Sequence, residues 1–245
     1  MEIVFMLMFA ALPAIAADSA PVSVSSSVPM QMREESFESD AEDVWTKVRR
    51  LILESKREKY GREINTAMLN HDPDAAQKAL DGMLRDFPEI KEQQPHAIEY
   101  HQGGIYYWRK DYNNAYNEFD KVLKAMKKQY PNGIPRGGKY SELNTYFLAD
   151  AYFGRGAAAL QLKNYGQAVA DFDKAIAISP RPETFRQVNK GRALIQLGKF
   201  KEAAKAYDEA GKLDIEWARK EEDTVWICRI MSAHGLYPTP CPSKK

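Results

Sequence analysis

A glycine, an alanine twelve residues later and an aromatic residue four further on occur together three times in this chain. The sets are Gly103, Ala115, Phe119; Gly156, Ala168, Phe172; and Gly191, Ala203, Tyr207. A second aromatic stands three residues before each alanine, as Tyr112, Tyr165 and Phe200. Seven residues on a helix are about two turns, so both aromatics of a set share one stripe. Small residues let two helix backbones approach, and the rings fill the holes beside them. A weaker fourth copy holds Ala76, Leu80 and Pro88 in register, with Ile64 where the glycine stands elsewhere. From Ser39 to Ser232 apolar residues recur at helical spacing, without strand-like alternation, and breaks fall at Pro73, Pro88, Pro131, Pro180 and Gly198. The expected fold class is all-α.

These residues resemble the tetratricopeptide repeat, with its W-x2-L-G-x2-Y, A-x3-F and P positions. The fullest copy reads Tyr152, Arg155, Gly156, Ala159, Ala168, Phe172 and Pro180, and the leading tryptophan is absent from every copy. The aligned alanines Ala76, Ala115, Ala168 and Ala203 are 39, 53 and 35 residues apart. The resemblance implies a right-handed solenoid of antiparallel helix pairs, with copies near 57–90, 96–129, 149–182 and 184–217 and an insertion at 127–144. The third copy's first helix is expected to begin near Ala149, and the Pro- and Gly-rich insertion to be a loop, more a surface excursion than a binding element. Ser39 and Glu42 fit a capping box that opens the helical region, which extends over 39–236. A further helix at 215–234, with Ile215, Trp217, Val225, Trp226 and Ile230 apolar, is expected to cap the last copy.

Outside the repeats, Ile3 to Ala16 is apolar, short for a membrane span, and ends in the small residues that signal peptidase requires. Residues 1–17 therefore read as a signal peptide, although Glu2 stands where a positive residue is usual, with an uncleaved anchor as the alternative. Export to the periplasm or out of the cell is the expectation, and the resemblance is to exported bacterial-type members. Residues 18–38, rich in Ser, Pro and acid, read as a disordered tether, and 237–245 as a tail. In an oxidising compartment Cys228 and Cys241 either pair, stapling the tail to the cap helix, or leave Cys228 as a buried apolar filler.

Charge is balanced, 35 basic residues against 34 acidic, so no nucleic-acid partner is expected. His96 and His101 lack metal-ligand spacing, and no nucleophile elbow or phosphate loop is present. We expect no metal, no cofactor, no small-molecule substrate and no catalysis. The resemblance places the first helix of each copy on the concave side. There Tyr100, Tyr107, Trp108, Phe153, Leu160, Phe185, Val188 and Arg192 form an apolar, aromatic groove for a partner peptide, with Arg192 able to pair with an acid. The carboxylate clamp of some family members maps to Tyr100, Gly104, Gly154, Phe185 and Asn189, of which only the last is suitable. Gly103, Ala115, Gly156, Ala168, Gly191 and Ala203 are packing positions. The expected function is a protein-binding scaffold; a self-assembling array of unspecified oligomeric state is the alternative.

Overall fold

The computed structural model describes residues 46, 52–135, 141–180, 182–213 and 232–235. The signal-peptide and tether segments, both cysteines, the tail and nearly all of the C-terminal cap helix lie outside the described residues. Among the described residues from 52 to 213, nine helical segments follow one another: α1 (52–69), α2 (Pro73–Asp86), α3 (Ile90–Gln93), α4 (Pro95–Trp108), α5 (Tyr112–Gln129), α6 (Ser141–Gln161), α7 (Tyr165–Ile178), α8 (Thr184–Gln196) and α9 (Phe200–Leu213). No strand occurs among the described residues. Helix α4 packs on α5, α6 on α7 and α8 on α9, and successive pairs join through α5 with α6 and α7 with α8. The first helices also touch in sequence, α4 with α6 and α6 with α8, which is the layering of an all-α helical repeat solenoid.

One turn is built four times. His71, Lys110, Lys163 and Gly198 take positive φ of 57°, 62°, 62° and 71°. In each, the left-handed residue donates its N–H three residues back, and the next residue donates five back, as in Asp72 to Ala67 (2.8 Å), Asp111 to Tyr106 (2.9 Å), Asn164 to Ala159 (2.8 Å) and Lys199 to Leu194 (2.9 Å). This Schellman closure satisfies carbonyls at the end of one helix. In the first three turns the next residue then caps the following helix: Asp72, Asp111 and Asn164 accept from the N–H groups of Ala75, Asn114 and Gln167. Only Gly198 escapes the steric cost of a Cβ in that conformation. Lys163→Gly is therefore expected to raise stability by about 0.5–1 kcal/mol and Gly198→Ala to lower it by about as much, read from urea midpoints.

The small-to-large ration works between the helices of a copy. A Cβ on Gly103 would lie 3.1 Å from the Phe119 ring, one on Gly156 3.0 Å from Phe172, and one on Gly191 2.7 Å from Tyr207. Ala115, Ala168 and Ala203 are fully buried beside them. The first copy inverts the arrangement: Tyr60 comes from α1 and lies 2.8 Å from the Cβ position of Gly82 on α2. Ile64 and Leu80 therefore meet as ordinary core residues.

The third copy departs from the sequence expectation at its start. Helix α6 begins at Ser141, eight residues before Ala149, and α5 continues to Gln129, so the described part of the link between them is 130–135. The Pro and Gly residues that suggested a long loop are confined to 131–138, and the flanking residues carry no breaker. The link is tied down: Tyr130 accepts a hydrogen bond from Asn144 at 2.8 Å, and Ile134 packs on the central core.

Candidate functional site

Tyr100, Phe153 and Val188 occupy one register position, fifteen residues before the aligned alanine in three successive copies. They are 3 %, 0 % and 4 % exposed. Tyr100 packs on Phe119 with ring centroids 5.8 Å apart, and Phe153 on Phe172 at 5.5 Å, each on the aromatic of its own second helix. Tyr107 is buried as well, its ring edge-on to Trp108 and Tyr112. These four belong to the core, which corrects their assignment to a partner groove: helical spacing identifies a stripe but not which edge of it meets the neighbouring helix. Trp108, Leu160, Phe185 and Arg192 are half-buried. Trp108 stacks on His71 with centroids 3.9 Å apart, linking the first hairpin turn to the end of α4.

The same helices carry a polar cluster that the aromatic pattern concealed. Arg186 of α8 is fully buried. Its Nη2 donates to Asp150 of α6 at 2.6 Å, and its Nε donates to Glu183 in the α7–α8 link at 2.5 Å. Tyr146 of α6 donates to the other oxygen of Glu183, and Tyr100 of α4 donates to Asp150 at 3.5 Å. The guanidinium lies over the rings of Tyr146, Phe153 and Phe185 at 5.8, 5.9 and 5.2 Å. Burial pushes the Asp150 carboxyl up to about 7 against the pull of Arg186, and pushes the phenol of Tyr100 well above its ordinary range. Burial also lowers His96, and takes His101, beside Tyr100 on α4, down to about 4. The one legible sign in the sequence was a charged pair, Asp150 and Arg186, set into otherwise apolar first-helix faces.

Tyr146 sits in the part of α6 that precedes Ala149 and so belongs to the extension. From the next position Phe147 reaches back to Tyr100 (4.8 Å) and His96 (5.7 Å) on α4. Those extra turns join the second copy to the link before the fourth.

A second ionic group ties the outer helices. Arg155 of α6 holds Asp171 of α7 through two bonds, 2.9 and 2.7 Å, and reaches Asp120 of α5 at 2.5 Å. Tyr116 and Tyr152 flank its guanidinium, each 5.7 Å from it. Its equivalents thirteen residues before the alanine make the same kind of joint: Gln102 donates to Gln77 of α2 at 3.0 Å, and Lys190 pairs with Asp173 of α7 at 2.6 Å.

Repeated turns, repeated glycine–aromatic contacts and repeated joints between copies all recur at the spacing of the aligned alanines. Residues 149–182 match the family model of the tetratricopeptide repeat, and residues 187–214 match a second model of the same repeat. These two segments are similar to tetratricopeptide repeats. No curated protein matches the chain. Tetratricopeptide repeats in general mediate contacts between proteins, and the two matched segments here contain Asp150 and the half-buried residues Leu160 and Arg192.

Proposed function

We propose that this chain is a non-enzymatic scaffold whose inner face holds a segment of a protein partner, and that it works after export, in the cell envelope or outside the cell. The observation that carries the scaffold reading is the pair of tetratricopeptide repeats in a stacked helical array. The contact residues we assign are Trp108, Leu160, Phe185 and Arg192; the last supplies a cation for an acidic group of the partner. Export rests on the apolar run from Ile3 to Ala16 and the small residues that end it. No helix among the described residues is long and apolar enough to cross a membrane.

The test uses the full chain expressed in its own cells, crosslinked and recovered, beside a Trp108→Ala, Arg192→Ala variant checked for folding by circular dichroism. A partner recovered with the wild type and lost by the folded variant supports the reading. Equal recovery from both would move the contact elsewhere, and N-terminal sequencing that finds Met1 intact would remove the export signal as proposed.

Head-to-tail self-assembly is disfavoured by the residues at the joint positions. Where Gln102, Arg155 and Lys190 reach the preceding copy, the first copy carries Glu63. The residue that would receive it, equivalent to Asp120 and Asp173, is the exposed Asp208 of α9. Stacking one array on the next would set two carboxylates against each other.

A further inference from the structure

The Asp150 cluster is built in a way that packing alone does not require. One guanidinium faces two carboxylates, so with both ionised the buried group carries an excess negative charge. Arg186 Nη1 is buried without a hydrogen-bond acceptor, so the cation is not fully satisfied by the partners it has. The groups facing Asp150 come from three helices and a link: Tyr100, with His101 beside it, on α4; Tyr146 on its own helix; Glu183 in the link; and Arg186 on α8. Phe119 and Phe153, the rings packed on Tyr100 and Arg186, carry no charge.

We propose that this cluster is a proton-operated clasp between copies: with a proton on Asp150 it holds α4, α6 and α8 together along the inner face, and without that proton it lets the second, third and fourth copies part. Its geometry suits the role, since each of the three first helices contributes at least one bond partner and no other ionic bridge joins α6 to α8 among the described residues. Opening returns Asp150 to water, where a carboxyl ordinarily titrates near 4. The closed form binds the proton more tightly than the open form, so opening becomes easier as pH rises through the range from about 4 to 7 and levels off above it. His96 and His101, held neutral by burial, act in the opposite sense below about pH 6.5. The clasp stands or falls independently of which partner the array holds.

The deciding measurement is amide hydrogen exchange of the full chain across α6 and α8, corrected for the intrinsic pH dependence of exchange. The Asp150 proton is expected to make protection fall about 10-fold between pH 6 and pH 7.5, read as the ratio of wild type to Asp150→Asn because the histidines act against it equally in both. Asp150→Asn, an uncharged side chain of the same shape, should remove that fall while leaving the opposing histidine effect. Carbon-13 NMR of the wild-type carboxyl groups gives a second reading that needs no variant: one aspartate is expected to titrate near 7. Identical pH profiles for wild type and Asp150→Asn would overturn the clasp. So would a wild type in which every carboxyl titrates below 5; this outcome counts even if Asp150→Asn fails to fold.

Discussion

Gly154→Ala is expected to destabilise the protein by about 2–3 kcal/mol, although alanine is the better helix former by about 1 kcal/mol. A Cβ at this position would lie 2.5 Å from Cζ of Phe119 and 2.6 and 2.7 Å from two further ring atoms. The ring has no free space to retreat into, because it also lies against Gly103, where an added Cβ would stand only 3.1 Å from it, and it is itself only 1 % exposed. Phe119 thus wedges between the first helix of its own copy and the first helix of the next. Gly61→Ala and Gly166→Ala provide the contrast, since nothing lies within 4 Å of either Cβ position. Both are expected to be neutral or to raise stability by up to about 1 kcal/mol. Urea denaturation followed by circular dichroism reads all three. Adding Phe119→Leu to Gly154→Ala should restore part of the loss, and a double mutant that is merely additive would show that the ring is not what the new methyl meets.

Arg186→Met is expected to cost about 3–5 kcal/mol, because it leaves Asp150 and Glu183 without the cation that holds them. The loss should be smaller near pH 5 than at pH 8, since a protonated Asp150 does not need a counter-charge. Combining Arg186→Met with Asp150→Leu should recover most of the stability, as replacing a buried pair by apolar groups often does. An exposed pair offers the control: Lys59 and Glu63 lie 3.8 Å apart on the solvent face of α1, and Glu63→Gln should change stability by less than about 0.5 kcal/mol. A cost for Arg186→Met as small as that would mean that the cluster is hydrated in solution and does not tie the copies.

Copy number and hairpin register were legible because the size of a residue at a helix contact reports how near two backbones come. The left-handed residues at 71, 110, 163 and 198 repeat the 39-, 53- and 35-residue spacing of the aligned alanines, so the same information was present twice. The start of α6 was not legible, because the repeat pattern begins at Ala149 and says nothing about helix that precedes it. The partner groove was half legible. Tyr100, Phe153 and Val188 look like an aromatic and apolar face in one dimension, yet the stripe they share turns toward the second helices. The cluster around Arg186 draws on residues up to 86 positions apart, Tyr100 to Arg186, and no local spacing could announce it.

The four hairpin turns are alike, whereas the helix ends that bound successive copies stand at Asp86 and Pro95, at Gln129 and Ser141, and at Ile178 and Thr184. All variation in chain length therefore falls on one margin of the array, while the opposite margin keeps a fixed stitch. Added sequence can enter on the variable margin without shifting any helix pair against its mate, and α6 is an instance, its added turns having become the bridge from Tyr100 to Glu183. A fluorescent or affinity module inserted at Gly133 would be carried on that margin, clear of every stitched turn, so the array offers a built-in place to be tagged, lengthened or coupled to another protein.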